Sequence, residues 1–182
     1  ASDVYKRQGT FTYTVVDSGG TANGGQNTLS QSVAITVNAV NDAPSLTAGT
    51  VAALTVSEDA AATSLGLSGV TYAAGPSDES SQALTYTVTG VPASTLGNVT
   101  LADGTTVVTS GTQYTLTQIQ GMQFVAAANA NGTGTFTYTV VDSGGTANDG
   151  QNTLSQSVAI TVNAVNDAPV ASGTATLAAV NE

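Results

Sequence analysis

Several stretches of the chain alternate apolar and polar residues with a period of two. Leu84, Tyr86 and Val88 are separated by threonines, and Phe136, Tyr138 and Val140 alternate with Thr137 and Thr139. Val158, Ile160 and Val162 follow the same rule. A period of two is the mark of a strand with one buried face. Leu54 and Val56 predict an earlier strand, and residues 65–70 a second. Val99 and Leu101 face Val107 across Ala102-Asp103-Gly104, whose Asp-Gly step is turn chemistry. Residues 115–120 predict one helical turn before a strand at 122–126, and residues 129–132 form a turn cluster. No apolar stripe with a period of 3.6 is sustained anywhere. Seven to nine short strands with polar turns predict an all-β Greek-key sandwich.

The same strands occur twice. Residues 9–44 and 134–169 agree at 35 of 36 positions, an offset of 125, and differ where Asp149 replaces Gly24. A period of this length suits a whole domain and is too long for a solenoid unit. Residues 45–169 are therefore expected to be one complete unit. Residues 9–44 read as the C-terminal part of a preceding unit. Residues 170–182 read as the start of a following one, since Val180-Asn-Glu182 echoes Val56-Ser-Glu58. Residues 9–44 hold two strands, expected to pair as their duplicates do. Phe11, Tyr13, Val15, Val33 and Ile35 should then lack the strands that cover them. An isolated two-stranded hairpin is marginal in water, so this piece should be poorly ordered or aggregation-prone by itself.

Residues 1–8 break the pattern. They contain Lys6 and Arg7, the only basic residues of the chain. The codons GAT GTG TAT AAG AGA CAG, which encode Asp3 to Gln8, spell the end of a transposon-based sequencing adapter. Residues 1–8 are accordingly expected to be translated adapter on an environmental read, and the chain a fragment of a longer protein.

Composition narrows the chemistry. The net charge is −10, yet only 8% of residues are charged; polarity comes mostly from Thr, Ser, Asn and Gln. Nothing after Arg7 can neutralise phosphate, which disfavours nucleic acid and anionic lipid as partners. No apolar run approaches the roughly 18 residues of a membrane span, so no membrane insertion is expected. There is no Cys and no His, which removes disulfides, thiolate chemistry and the commonest general base and transition-metal ligand. A serine nucleophile would find neither His nor Lys beyond residue 8. The glycine-rich stretches 18–25 and 143–150 lack the lysine of a phosphate loop. A two-carboxylate glycosidase would lack the Arg, His or Trp that line a sugar pocket. The expectation is that the chain is not an enzyme.

The repeat resembles the cadherin-like tandem repeats of large bacterial surface adhesins, the tandem-95 or VCBS type. The matching residues run from Asn129-Ala-Asn-Gly-Thr133 through Phe136-Thr-Tyr-Thr-Val140 and Asp142-Ser-Gly-Gly145, then through Ile160-Thr-Val162. The closing Val-Asn-Asp-Ala-Pro, at 40–44 and 165–169, is the most specific piece, and Val56-Ser-Glu-Asp59 resembles the early acidic motif. The resemblance covers the complete unit and both partial ones. It implies an extracellular cadherin/immunoglobulin-like sandwich in tandem array, in a secreted or surface adhesin acting in cell adhesion or biofilm formation. It also implies calcium at the joints between units.

Calcium takes six to eight oxygens from carboxylates, amide and backbone carbonyls, and water. At the entering joint the expected ligands are Asn41 and Asp42 of the linker, Asp78 and Glu79 of the loop after the second strand, and Asp142 at the end of the penultimate strand. At the exit joint they are Glu58, Asp59, Asn166 and Asp167. The set departs from the cadherin pattern. Asn38 and Asn163 stand where Asp is usual, Asp78-Glu79-Ser80 replaces a DxD pair, and a mid-domain acidic motif is missing. Fewer carboxylates predict weak affinity. The alternative is that these acids are solvated turn residues and the linker is merely stiff. The expected partners are neighbouring repeats of the same chain, with extracellular polysaccharide or a cell-surface ligand beyond them. Two functions stay open: a calcium-rigidified spacer, and a polysaccharide-binding domain. Near-identical repeats favour the spacer.

Overall fold

The computed structural model describes residues 7–170, 172, 173 and 180. The expected adapter at 1–8 and the expected start of a next unit at 170–182 therefore lie largely outside the described residues. The described fold is all-β. The strands are β1 (Arg7–Val16), β2 (Thr28–Val37), β3 (Ser45–Ala48), β4 (Leu54–Ser57), β5 (Thr63–Ser64), β6 (Thr71–Ala73), β7 (Leu84–Gly90), β8 (Gly97–Thr100), β9 (Gln113–Tyr114), β10 (Gln123–Ala126), β11 (Gly132–Asp142) and β12 (Thr153–Asn163). A single α-helix among the described residues, α1 (Leu116–Gly121), starts at a capping box. There Thr115 accepts from the Gln118 N–H and the Gln118 side chain reaches back to Thr115, which satisfies two N-terminal amides.

Residues from 45 onward build a five-stranded sheet in the order β4-β12-β11-β7-β9, a three-stranded sheet β5-β10-β8 and a pair β3-β6. β4 runs parallel to β12, and the other pairings are antiparallel. One hydrophobic cluster joins the sheets. The large sheet contributes Phe136, Tyr138 and Val140 from β11, Val158, Ile160 and Val162 from β12, and Tyr86 and Val88 from β7. Val99, Phe124, Ile119 and Met122 meet them. Tyr86, Phe124, Phe136, Tyr138 and Ile160 are buried as the alternation requires. The hydroxyls of Tyr72 (β6) and Tyr138 (β11) share a hydrogen bond of 2.7 Å, which ties β6 to the large sheet. Burial raises both phenol pKa values above 10.

The unit has ten strands, against an expectation of seven to nine. The strand expected at 65–70 is irregular, although Leu65, Leu67 and Val70 are buried. Gly66 sits at φ +77°, and the Val70 N–H donates to the Leu67 carbonyl, so the backbone turns where extension was expected. β5 and β6 flank this bend.

β1 and β2 pair with each other and with no other strand among the described residues. Their register duplicates that of β11 and β12. Phe11 faces Val33 as Phe136 faces Val158, and Gly9 faces Ile35 as Gly134 faces Ile160. Local sequence thus sets the register, while burial comes from neighbours. Phe11, Val15, Val33 and Ile35 are each at least half exposed, and their counterparts Phe136, Val140, Val158 and Ile160 are fully buried.

The one substitution between the copies falls on a left-handed backbone position. Gly24 has φ +80° and Asp149 φ +65°. A residue with a Cβ pays steric energy there that glycine does not, and Asp is among the residues that tolerate it best. Relief of a left-handed penalty of about 1–2 kcal/mol, less the roughly 0.4–1 kcal/mol of chain entropy that glycine adds to the unfolded state, should leave Asp149→Gly modestly stabilising in urea melts. A loss would show that the Asp149 side chain supports the loop.

Candidate functional site

The segment that follows β2 is hydrogen-bonded to one end of the sheets built by the residues from 45 onward. Three segments meet it: the 3-10 turn Ser77–Glu79 between β6 and β7, the bend at Gln82 just before β7, and the end of β11 with the loop that joins it to β12. Ser143 Oγ accepts from the Ala83 N–H at 3.2 Å, which pins two of these segments together before the linker is considered.

Asn41 is the centre of the contacts. Its Nδ2 donates to Asp142 Oδ1 at 2.9 Å and to the Gln151 carbonyl, while its Oδ1 accepts from Gln82 Nε2 at 2.8 Å. Its own carbonyl accepts from the Gln151 N–H at 2.7 Å. Asp142 Oδ1 also accepts from the Gly144 N–H at 2.9 Å. One residue on, the Asp42 N–H donates to Glu79 Oε1 at 3.0 Å. Glu79 and Asp142 are buried, whereas Asp42 and Asp78 are exposed.

Three buried oxygens here have no hydrogen-bond partner: Glu79 Oε2, Asp142 Oδ2 and Gln82 Oε1. Each belongs to a residue whose other polar atom holds the linker. A buried unpaired acceptor forfeits its hydration without return, commonly about 1–3 kcal/mol and more when charged. No Lys or Arg in the sequence after residue 7 could relieve the carboxylates. Burial pushes the Glu79 carboxyl above its ordinary pKa; the Asp42 N–H opposes this, and the charges of Asp42, Asp78 and Asp142 add to it.

The folded protein holds the Glu79 proton to higher pH than the unfolded chain, where the carboxyl titrates near 4.5. More protons are bound in the folded state across that window, so stability falls as pH rises through the folded value. In chelator, Glu79→Gln should raise the melting temperature at neutral pH and flatten its decline between mildly acidic and neutral pH. The variant keeps an acceptor for the Asp42 N–H. An unchanged pH profile would place the destabilising charge elsewhere.

The exit side is simpler. Glu58 is buried; its N–H donates to the Asn163 carbonyl at 2.9 Å, and its Oε1 accepts from the Val165 N–H at 2.6 Å. Asp59 takes a left-handed turn at φ +61°. Asn166 and Asp167 are exposed, and Asn166 Nδ2 donates to the Asp167 carbonyl at 3.3 Å. Glu58 thus grips the linker through the Val165 N–H, and neither Asn166 nor Asp167 is buried beside it.

Of the five residues expected at the entering joint, Asn41, Asp42, Glu79 and Asp142 are brought together, and Asp78 lies exposed beside them. Gln82 and Gln151 were not anticipated. An amide in a polar loop carries no pattern that marks it. Among the described residues no three of His, Cys, Asp and Glu are grouped to hold a metal; the joint offers two buried carboxylates and amide oxygens. Oxygens of this kind are the donor type that hard cations take. Among the described residues, no helix is long and apolar enough to cross a membrane. No family model, no curated protein and no solved structure matches the chain.

Proposed function

We propose that residues 45–169 are one unit of a tandem array of cadherin/immunoglobulin-like Greek-key sandwiches, serving as a spacer in an extracellular bacterial surface or secreted adhesin. The observation that carries this reading is the pair of hairpins. One sequence occurs twice in one register, and the linker leaving the first copy is hydrogen-bonded into the unit that contains the second. Such a chain extends by repetition, which suits holding a distal domain away from a cell and acting in adhesion or biofilm formation. The parallel pairing of β4 with β12 beside an antiparallel hairpin supports the cadherin-like topology. The large aromatic side chains exposed among the described residues, Phe11 and Tyr13, lie on a hairpin whose copy buries them. They offer no platform for polysaccharide that a complete unit would keep.

Calcium belongs to this proposal as a joint stabiliser. Glu79 Oε2, Asp142 Oδ2 and Gln82 Oε1 would hold it, and the ion would supply the positive charge that the sequence lacks after Arg7. With two carboxylates its affinity should be weak, on the order of 10⁻⁴ to 10⁻³ M. At a hundredfold excess over the dissociation constant it would add about 2.7 kcal/mol. The test is thermal melting of the chain in calcium and in chelator, with Asp142→Asn and Asp42→Ala alongside. Calcium should raise the melting temperature of the parent, and Asp142→Asn should abolish the rise. Equal melting temperatures in calcium and chelator would leave a joint held by the protein alone.

A further inference from the structure

The amide of Asn41 is oriented by what surrounds it. Its Nδ2 faces two acceptors, Asp142 Oδ1 and the Gln151 carbonyl, and its Oδ1 faces a donor, Gln82 Nε2. Turned over, the same amide would set oxygen against both acceptors and nitrogen against a donor. The space around it is equally specific. A Cβ on Gly144 would collide with Asn41 Oδ1 and lie 2.7 Å from Gln82 Nε2, and a Cβ on Gly150 would come within 3.1 Å of the Asn41 Cβ. The unit therefore presents a socket that matches an asparagine in shape and in donor–acceptor pattern.

The backbone of the linker is gripped on either side. Glu79 takes the Asp42 N–H, one residue after the plug. At the other end of the unit Glu58 takes the Val165 N–H, one residue before Asn166. The two linkers share one sequence, so Val165 and Asn166 correspond to Val40 and Asn41. Superposing the two halves gives a linker held by a carboxylate from the unit behind, an asparagine plug, and a carboxylate from the unit ahead. All three contacts fall within three consecutive residues.

We propose that Asn41 is a plug read by a dedicated socket of the following unit, formed by Gln82, Asp142, Gly144 and Gln151, and that this clasp fixes the joint without a metal. The socket wall recurs in the first hairpin as Asp17, Gly19 and Gln26, and the plug recurs as Asn166. Each hairpin loop of an array is thus a receptor for the linker before it. The inference rests on the tandem-array reading. A cation would add to the joint through oxygens that the clasp leaves unpaired, whereas Asn41 itself acts chiefly as a donor.

The full chain in chelator provides the test, with Asn41→Ala, Asn41→Asp, Gly144→Ala and the double variant Asn41→Ala/Gly144→Ala. Asn41→Asp replaces the donating nitrogen with a carboxylate facing Asp142. It should lower the melting temperature at least as much as Asn41→Ala. Amide exchange at Gln151, whose N–H donates to the Asn41 carbonyl, should quicken about tenfold or more, the equivalent of one lost hydrogen bond. Gly144→Ala should reproduce the loss without removing a polar group, and the double variant should lose little more than either single change. If Asn41→Asp is silent in chelator and tightens calcium binding, Asn41 is an oxygen ligand and the clasp is wrong. Additive losses in the double variant would also overturn it. Failure of the array reading shows elsewhere, in the protection of the first hairpin when a preceding unit is supplied.

Discussion

Phe136→Ala should cost about 3–5 kcal/mol of unfolding free energy, whereas Phe11→Ala should change it by less than about 0.5 kcal/mol. The two phenylalanines occupy the same place in the same repeated sequence. Each faces a valine across its hairpin, and each ring lies about 6 Å from that of the tyrosine two residues on, at 6.0 Å for Phe11 and 5.8 Å for Phe136. What differs is cover. Phe136 is fully buried beneath the opposing strands, and Phe11 is 58% exposed. Deleting a buried ring removes its transfer free energy and leaves a cavity, whereas deleting an exposed one removes little of either. Urea melts followed by a signal from the complete unit measure both variants. Similar losses for the two would mean that the first hairpin is buried in solution.

Gly97→Ala should be among the most damaging single-methyl changes in residues 45–169, at about 2–5 kcal/mol. Gly97 opens β8 with φ +150°, a conformation closed to side chains. An added Cβ would fall on the Val125 carbonyl oxygen and 2.6 Å from Phe124 Cζ. The first neighbour is backbone in the paired strand β10, and the second is a buried ring, so neither can retreat cheaply. Alanine at Gly9, which has open space around it, is the control and should be nearly neutral. Denaturant midpoints of the two variants check the contrast; equal midpoints would show that β8 can slide.

The parts of this architecture that were legible in the sequence are those set by local alternation. Residues 84–88, 136–140 and 158–162 read as strands because every second residue is apolar, and the structure extends them to 84–90, 132–142 and 153–163. The duplicated hairpin was legible for a stronger reason, since identical sequences adopted one register with and without cover. The parallel contact of β4 with β12 joins residues more than a hundred positions apart and leaves no local trace. Residues 65–70 misled because Leu65 and Leu67 are buried at a spacing of two, while Gly66 bends the backbone between them. At the joint, carboxylates in turns could be picked out as chemistry. Neutral amides could not, so Gln82 and Gln151 emerged only from the geometry that surrounds Asn41.

The central proposal is that residues 9–44 are the end of a tandem unit like residues 45–169. The most direct measurement places a copy of residues 45–131 immediately ahead of Gly9 and follows amide hydrogen exchange in both hairpins. If the claim holds, the amides of Phe11, Val33 and Ile35 should slow to the rates of Phe136, Val158 and Ile160, because the added strands rebuild the same cover. If the first hairpin continues to exchange freely while the second stays protected, residues 9–44 are not the end of such a unit, and the tandem-array account is wrong.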